Sequence, residues 1–112
     1  MRKLQFLLSL GLFASMAWAQ APGAPQASPG KLTYDTRCAR CHGGNVVSGG
    51  ETPDLRYLDA TTHATFEEIV RGGMRRTNGM PSFAADITPA QARQIESFIL
   101  TRARESAASP AH

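Results

Sequence analysis

Cys38 and Cys41 are the only cysteines among the 112 residues of this chain, and His42 follows the second one directly. Two cysteines cannot form the several disulfide bridges that stabilise many small secreted domains. Residues three positions apart near the end of a helix lie on the same helix face, so both sulfurs point in a similar direction. Any fold of this chain must therefore accommodate two neighbouring thiols and an adjoining imidazole at one place.

The spacing Cys-x-x-Cys-His is the signature of covalent c-type haem attachment. The sulfurs of Cys38 and Cys41 can add across the two vinyl groups of one porphyrin, and His42 then lies close enough to bind the iron. Two thioether bonds also keep the cofactor attached in a compartment where lost haem is not replaced. This segment predicts one covalent haem c, with His42 as the proximal ligand of its iron.

Three other chemistries compete for this pair of cysteines. A disulfide between Cys38 and Cys41 would not require the histidine that follows them. A thioredoxin-like redox pair occurs in a βαβ context, and the sequence has no alternating apolar run long enough for a sheet. A zinc site needs four ligands, and only His63 and His112 remain as further nitrogen donors. Haem attachment is the interpretation that uses all three side chains.

The sixth coordination position of such an iron has several candidate occupants. Met80 lies between Gly79 and Pro81, two residues that favour an irregular backbone able to direct a side chain inward. A thioether sulfur is a soft ligand that raises the reduction potential of haem iron. We expect Met80 to be the distal ligand. The alternatives are Met74, His63 and an open site, and a loop methionine can also simply fill the core.

The N-terminus has the pattern of a cleaved secretory signal peptide over residues 1–19. Arg2 and Lys3 form a positive region, an apolar stretch follows, and Ala17-Trp18-Ala19 offers the small residues that signal peptidase recognises. The apolar stretch is shorter than the roughly 20 residues of a transmembrane helix. The alternative is an uncleaved N-terminal helix or anchor. The signal predicts a bacterial periplasmic location and no transmembrane segment after cleavage.

Beyond the signal, the sequence predicts one small domain. Residues 20–30 are rich in Ala, Pro, Gly and Gln, which is typical of a flexible leader. The domain follows over residues 31–105, and residues 106–112 are expected to form a disordered tail. The formal net charge of +3 falls to +1 when the two basic residues of the signal are removed, and so mild a charge argues against nucleic-acid binding. A domain of about 75 residues has a marginal side-chain core and gains from a bound cofactor.

Apolar periodicity and capping residues predict three helical segments. The first spans about residues 31–41. The second begins at a capping box formed by Thr65 and Glu68, and the third begins at a capping box formed by Thr88 and Gln91. Long loops with several glycines connect these helices, and loops of this length in a small domain indicate that they wrap a large bound group. The predicted fold is all-α, with three or more helices around one covalently bound haem.

The sequence resembles the class I c-type cytochromes. The resemblance covers about residues 31–104 and rests on the Cys-x-x-Cys-His segment followed by Gly43, on the turn around Met80, and on a C-terminal helix that packs against the N-terminal one. Three segments are similar to the cytochrome domain of quinohaemoprotein alcohol dehydrogenases, which accepts electrons from a pyrroloquinoline quinone site: residues 53–56, 69–73 and 79–83. The resemblance implies a small class I cytochrome c fold and a low-spin, His/Met-ligated haem that transfers single electrons.

The resemblance also implies roles for three residues of the first loop. Pro53 matches the proline whose carbonyl accepts a hydrogen bond from the ring of the proximal histidine, here His42. Arg56 and Tyr57 occupy the place where such domains often contact the haem propionates. Each residue has a plainer alternative, namely a turn proline, a solvated arginine and a partly buried tyrosine.

Together these features predict an electron carrier rather than an enzyme. The carrier would be a monomer or a subunit of a redox complex, and would pass one electron from a quinoprotein dehydrogenase to a terminal oxidase or another acceptor. The sequence shows no quinoprotein propeller, which indicates a separate carrier or subunit. Arg71, Arg75 and Arg76 form a basic cluster that is a candidate for partner docking or propionate neutralisation, or is an ordinary solvated face. Two alternatives stay open: a haem enzyme or gas sensor with an open sixth position, and a relay subunit of a membrane-bound complex.

Overall fold

The computed structural model describes residues 27–109 and, outside that range, only Gly11. Residues 27–109 form α-helices and single 3₁₀ turns without any strand, which confirms the all-α prediction. The α-helices are α1 (Pro29–Arg37), α2 (Ala39–His42), α3 (Ala60–Ala64), α4 (Phe66–Val70) and α5 (Pro89–Ala108), and the 3₁₀ turns are Gly44–Val46, Leu55–Tyr57 and Arg76–Asn78. The predicted signal peptide, apart from Gly11, and residues 20–26 of the predicted leader lie outside the described residues.

The first predicted helix is divided into two at Cys38. α1 begins two residues before its predicted start, because the Ser28 hydroxyl accepts a hydrogen bond from the N–H of Lys31 (3.2 Å) and Pro29 suits the first helical position. Cys38 has φ −112° and ψ −37° and ends α1, and its carbonyl accepts a hydrogen bond from the N–H of His42 (2.9 Å) in α2. The predicted leader therefore ends before Pro29, and the two cysteines lie at and just after a break between helices.

α1 and α5 pack closely against each other and supply much of the core. Gly30 of α1 approaches α5 so closely that a Cβ atom at this position would lie 1.9 Å from the carbonyl oxygen of Gln94. The ring of Tyr34 is fully buried and lies 5.4 Å from the ring of Phe98 in a tilted arrangement. The other buried apolar side chains of the described chain are Cys38, Val46, Phe66, Ile69, Val70, Ile87, Ala92, Ile95 and Ile99. The helix pair fixes one side of the domain, and the loops enclose the other.

The predicted capping box at Thr65 is not formed. A further helix, α3, precedes this position, and Asp59 caps its start, because the Asp59 carboxylate accepts a hydrogen bond from the N–H of Thr62 (2.7 Å). Because α3 ends directly at Thr65, the Thr65 hydroxyl donates back to the carbonyls of Thr61 and Thr62 (3.3 Å each) and does not cap α4. The prediction of a cap at Thr65 is therefore wrong, although α4 does begin at the next residue.

The predicted capping box at the start of α5 is confirmed. The Thr88 hydroxyl accepts a hydrogen bond from the N–H of Gln91 (3.1 Å), and the Gln91 side chain accepts one from the N–H of Thr88 (2.9 Å). Pro89 occupies the first helical position, where its missing N–H costs nothing. Even this longest helix is not apolar enough to cross a membrane, nor is any other helix between residues 27 and 109.

The C-terminal end of α5 corrects the predicted tail. The helix continues to Ala108, so residues 106–108 are helical and not part of a disordered segment. The Ser106 hydroxyl accepts a hydrogen bond from the Arg56 guanidinium (2.9 Å), which attaches this turn to the first loop. Two alanines follow, and alanine has the highest helix propensity. The domain therefore extends beyond its predicted boundary at residue 105.

Candidate haem-binding site

The loops after α2 and α4, together with α1, α4 and α5, surround a cavity of about 600 Å³. Cofactor and small-molecule sites span roughly 300–1,000 Å³, so the volume suits a bound group. Cys38, Cys41, His42 and Met80 all line this cavity. Most of the remaining wall is apolar, and its members are Leu55, Leu58, Phe66, Ile69, Val70, Phe83, Ile95 and Ile99. The side chains that the sequence singled out for haem chemistry thus share one apolar chamber.

Cys38 and Cys41 are both free thiols, and they differ in exposure. Cys38 is buried, and burial together with the nearby Cys41 raises the pKa of its thiol to about 11. Cys41 is exposed on α2. A redox-active cysteine pair depends on a thiolate that a lowered thiol pKa stabilises, so the raised pKa of Cys38 argues against a thioredoxin-like role. Two free thiols on the wall of one cavity fit covalent attachment of a bound group.

His42 is the last residue of α2 and is half-buried at the cavity wall. Burial lowers the pKa of its imidazole, which favours the neutral form that binds metal ions. The Nδ1 atom of the ring is buried and has no hydrogen-bond partner within the described residues. Buried polar atoms without a partner are costly and uncommon. This imidazole is therefore placed for binding rather than for packing alone.

Pro53 lines the cavity, but the predicted hydrogen bond between its carbonyl and the His42 ring is absent. The loop is instead attached to α2 through the neighbouring Thr52, whose hydroxyl donates to the carbonyl of Cys41 (3.0 Å). The carbonyl of Thr52 accepts in turn from the hydroxyl of Ser48 (2.5 Å). A threonine hydroxyl in a loop has no periodicity or capping pattern around it, so the sequence contains no signal for this contact.

Met80 is the one candidate distal ligand within residues 27–109 that lines the cavity. It is half-buried and packs against the core, and Gly79 before it has φ +93°, a left-handed conformation that glycine adopts without strain. Met74 is 50% exposed. His63 forms a hydrogen bond with the carboxylate of Glu96 (2.9 Å) beside a separate small cleft. Of the three candidate side chains, all within the described residues, Met80 is thus the one that shares a cavity with His42.

Arg56 and Tyr57 are not part of the cavity wall, and their contact with the haem propionates stays a prediction. The Arg56 guanidinium forms two hydrogen bonds to the carboxylate of Asp54 (3.0 and 2.8 Å), and the hydrogen bond from Arg56 holds the pKa of Asp54 at about 2. The same guanidinium lies 5.5 Å from the centre of the Tyr57 ring, which is 74% exposed. The ion pair holds Arg56 away from the cavity and leaves Tyr57 in solvent.

The predicted basic cluster of Arg71, Arg75 and Arg76 is divided in the structure. Arg71 supports the end of α4, because its Nε donates to the carbonyl of Ile87 (2.9 Å) and its guanidinium pairs with a glutamate one turn earlier. Arg75 lines the cavity, and Arg76 is exposed. Arg37 in the last turn of α1 also lines the cavity. Arginine is common in the last turn of any helix, so no sequence signal distinguishes Arg37 as a site residue.

The side chains on the cavity wall match the chemistry of c-type haem. Covalent attachment uses two thiols, and axial ligation in cytochromes c uses an imidazole and a thioether. The apolar walls would keep water from a bound porphyrin and its iron. Between residues 27 and 109, no three His, Cys, Asp or Glu side chains are grouped so that they could hold a metal ion by themselves. The zinc alternative thus has no ligand set in the part of the chain that the structure describes.

Known proteins share this combination of fold and site. The profile of the protein family described as "Cytochrome C oxidase, cbb3-type, subunit III" matches residues 25–99. The quinohemoprotein alcohol dehydrogenase ADH-IIG of Pseudomonas putida is 46% identical over 76 residues, which are 68% of this chain and 10% of that protein. Cytochrome c6 of Synechococcus is 26% identical over 109 residues, which are 95% of this chain and 97% of that protein.

A solved structure of the ADHIIG enzyme from Pseudomonas putida HK5 superposes on this chain with a TM-score of 0.69 and 36% sequence identity. The match covers 80% of this chain and 15% of the enzyme. This chain thus spans only about a tenth of the length of the quinohaemoprotein relatives that it matches. The family match, which includes the Cys-x-x-Cys-His segment, establishes the cofactor as covalently bound haem c with iron. The chain therefore belongs to the cytochrome c family, in its class I and cbb3-type group, and is an electron carrier related to the cytochrome domains of dehydrogenases.

Proposed function

We propose that this cytochrome is a periplasmic carrier whose haem iron is held by His42 and Met80, and that it transfers electrons between a quinoprotein dehydrogenase and a terminal oxidase or another acceptor. The observation that carries the ligand assignment is the shared cavity, since these are the imidazole and the thioether on its wall. Bound haem iron supplies one-electron chemistry by cycling between the ferric and ferrous states.

The residues of the chain have separate tasks in this function. Cys38 and Cys41 would hold the cofactor covalently, so that it stays in place through repeated turnover. His42 offers a neutral imidazole, because burial lowers its pKa. The thioether of Met80 favours the reduced metal and raises the potential. The apolar wall excludes water, which lowers the reorganisation that accompanies each electron transfer.

Quinoprotein dehydrogenases are the proposed donors because several relatives are dehydrogenases of this class. Besides ADH-IIG, the quinohemoprotein alcohol dehydrogenase ADH IIB of Pseudomonas putida is 38% identical over 80 residues, which are 71% of this chain and 12% of that protein. The family profile matches residues 25–99, and the Cys-x-x-Cys-His segment lies within that range. We infer that this chain supplies the electron-accepting function, either as a free carrier or as a subunit beside a dehydrogenase.

The proposed partner-docking surface is the basic rim, which we define as Arg37, Arg40, Arg75 and Arg76. Arg37 and Arg75 line the cavity, and Arg40 lies on α2 beside the exposed Cys41. Arg40, Arg75 and Arg76 form no ion pair within the described residues, whereas Arg37 pairs loosely with Asp86 (3.7 Å). Exposed positive charge beside the cavity favours a partner with an acidic face, and transient redox complexes use small interfaces that such charges steer.

The periplasmic location rests on the predicted signal peptide of residues 1–19. Haem c attachment through free thiols also suits a compartment outside the cytoplasm. Fractionation of the native host tests the location directly. The periplasmic fraction is expected to contain the haem-stained polypeptide, and its recovery only from the cytoplasm would contradict this part of the proposal.

The ligand assignment is tested by absorption spectroscopy of Met80→Ala with Met74→Ala as the matched control. We expect Met80→Ala to lose the weak far-red band of ferric, methionine-ligated haem and to bind carbon monoxide in the ferrous state. Met74 is exposed and away from the cavity, so Met74→Ala should keep both properties of the wild type. Ready binding of carbon monoxide by the wild type would favour a gas sensor or haem enzyme with an open sixth position.

The partner assignment is tested by the rate at which a reduced quinoprotein dehydrogenase reduces this cytochrome. The double variant Arg40→Gln/Arg75→Gln should react severalfold more slowly than the wild type at low ionic strength, and the difference should shrink as salt is added. The control Arg93→Gln removes an exposed charge beside the separate cleft near His63. Equal rates for all three proteins at low salt would contradict docking through the basic rim.

A further inference from the structure

The chain directly after His42 makes a strained turn. Gly43 has φ +87°, and two non-glycine residues that follow also have positive φ, namely Asn45 (+56°) and Val46 (+62°). Asparagine tolerates this left-handed conformation, but valine is β-branched and rarely adopts it. Two such residues in succession cost energy, and backbone strain of this kind persists only where the surrounding structure enforces it.

Two helices that are far apart in the sequence but packed together in the fold, α1 and α5, hold this turn. The hydroxyl of Tyr34 in α1 donates a hydrogen bond to the carbonyl of Gly43 (2.7 Å). The Nε of Arg102 in α5 donates one to the carbonyl of Asn45 (3.0 Å). Directly after the second of these anchors, the side chain of Val46 is fully buried in the core. The turn is thus held by one buried side chain and two directed hydrogen bonds.

The two anchoring side chains are themselves held in place. Tyr34 is fully buried, and its ring packs against Phe98 of α5. The guanidinium of Arg102 also pairs with Glu105 one turn further along α5, and only 17% of its side chain is exposed. Neither side chain lines the cavity. Tyr34 and Arg102 therefore hold the turn without touching a group bound in the cavity.

We propose that Tyr34 and Arg102 are positioning residues, which fix the orientation of the His42 imidazole by holding the strained turn that follows it. His42 ends α2 and its Nδ1 has no hydrogen-bond partner among the described residues, so no hydrogen bond from this atom fixes the ring. Its orientation then depends on the main chain, which the turn determines on the C-terminal side. This inference rests on the proposed function, because it takes His42 as a ligand of the iron.

The experiment measures the iron–histidine bond itself. In a Met80→Ala background, the ferrous haem is expected to be five-coordinate, and resonance Raman spectroscopy then reports its iron–histidine stretching frequency. Tyr34→Phe removes only the hydroxyl, and Arg102→Met removes the donor while keeping an unbranched side chain. We expect both to shift or broaden this band. The matched control is Arg104→Met on the same helix, since the Arg104 side chain hydrogen-bonds only to Thr101 among the described residues and its loss should leave the band unchanged.

Rescue variants separate positioning from general stabilisation. Arg102→Lys keeps a charged donor and should restore the band, at least in part. Asn45→Gly relieves strain at an exposed position with positive φ, so it should reduce the effect of Arg102→Met. The reduction potentials of Tyr34→Phe and Arg102→Met with Met80 intact should shift as well, whereas Arg104→Met should match the wild type.

The outcomes distinguish this inference from the proposed function. Lower thermal stability in Tyr34→Phe and Arg102→Met, with an unchanged iron–histidine band and an unchanged potential, would overturn the positioning role while leaving ligation by His42 intact. A Met80→Ala protein whose ferrous haem keeps six ligands would instead contradict the His/Met assignment. In that case the reduction potentials of Tyr34→Phe and Arg102→Met, measured with Met80 intact, still test the positioning role, because this measurement requires no five-coordinate haem.

Discussion

Gly43 shows how strongly a single residue can be required beside the candidate iron ligand. Its φ of +87° lies where residues with a Cβ atom are strained, and a Cβ here would lie 1.8 Å from the carbonyl oxygen of Val47. Gly44, the next residue, has no heavy atom within 4 Å of a built Cβ. Two adjacent glycines therefore differ completely in how much substitution they tolerate, although the sequence presents them as a simple pair.

We predict that Gly43→Ala destabilises the haem-loaded protein by about 2–4 kcal/mol, through the steric overlap and the strained backbone. Urea unfolding followed by circular dichroism measures this free energy. Gly44→Ala is the control and should change the free energy of unfolding by less than about 0.5 kcal/mol. Equal stability of the two variants would contradict the tight turn after His42.

Asp54 gives the domain a pH-dependent contribution to stability. The hydrogen bonds from Arg56 hold the folded pKa of Asp54 at about 2, below its ordinary value of 3.8. A lowered folded pKa stabilises the native state fully above the unfolded pKa, and this contribution is lost as pH falls from about 4 towards 2. At one pKa unit per 1.36 kcal/mol, the contribution is at most about 2 kcal/mol.

We therefore predict that Asp54→Asn lowers the free energy of unfolding at pH 7 and that its deficit relative to the wild type shrinks between pH 4 and pH 2. Urea titrations at several pH values measure both quantities. Asp35→Asn removes an exposed ion-pair partner of Lys31 and should change stability little. A deficit that stays constant from pH 7 to pH 2 would show that the carboxylate charge of Asp54 is not responsible.

At the level of single residues, the sequence predicts best where a residue type is chemically indispensable. The side chains of Cys38, Cys41, His42 and Met80 were singled out by spacing and donor chemistry, and the structure brings them to one cavity. The ion pair of Arg56 with Asp54 is a local contact, since the two residues stand only two positions apart in the sequence. The contacts of Cys38, Cys41, His42 and Met80 with the haem stay predictions, which the experiments above test.

At the level of elements, α1 and α5 are the pair that organises the domain. The packing depends on Gly30, where a Cβ atom would lie 1.9 Å from the carbonyl oxygen of Gln94. Helices with larger residues at a crossing stand 8–10 Å apart, so the glycine permits a closer approach. Tyr34 and Phe98 then meet across the same interface. The position of one small residue thus sets how close both helices lie to the turn after His42.

We predict that Gly30→Ala separates α1 from α5 and destabilises the haem-loaded protein by about 2–4 kcal/mol. Thermal unfolding followed by circular dichroism checks this, with Gly49→Ala as control because a Cβ atom at Gly49 meets nothing within 4 Å. If Gly30→Ala melts at the temperature of the wild type, the close crossing does not contribute to stability as described.

The elements themselves were predictable to the degree that local signals specify them. The capping box of Thr88 and Gln91 is complete within four residues, so the start of α5 was predicted correctly. α3 was missed although Asp59 caps it, because the helix is only one turn long and lacks an apolar stripe. The break at Cys38 was missed because apolar periodicity continues across it. Short helices in this fold depend on tertiary contacts that a local pattern does not contain.

At the level of the whole molecule, the cavity lies where the side-chain core of a small domain would be. About 600 Å³ inside a domain of this size is bordered by Ile69, Val70, Ile95 and Ile99, side chains that bury one face against protein and present another to the cavity. Apolar side chains that face a bound porphyrin are removed from water, and their burial stabilises the folded state. We therefore expect the haem to contribute to the stability of the fold.

We predict that Cys38→Ala and Cys41→Ala each reduce covalent haem attachment and that protein without haem loses most of its fixed tertiary structure. Haem staining after denaturing electrophoresis measures attachment, and circular dichroism with temperature measures cooperativity. Met74→Ala, a change at an exposed position outside the cavity, is the control and should keep both. A haem-free variant that still unfolds in one cooperative transition would contradict a fold organised around the cofactor.

The general architecture followed from the sequence because the haem-attachment segment and the long loops both require a large bound group. The way in which the loops enclose the cavity did not follow from the sequence. It depends on hydrogen bonds of single loop residues, such as the one from Thr52 to the carbonyl of Cys41. The members of the basic rim likewise depend on the fold. Arg71 is excluded because it donates to the carbonyl of Ile87, and Arg37 is included because it lines the cavity. A surface for partner docking therefore cannot be predicted from the sequence positions of charged residues alone.

The intact mass of the protein purified from its native host tests the central claim most directly. We predict a mature chain that starts near Gln20 and carries the added mass of one haem, which remains attached under denaturing conditions because thioether bonds to Cys38 and Cys41 hold it. A mass equal to that of the polypeptide alone, with both thiols free to react, would contradict covalent haem attachment and the electron-carrier function built on it.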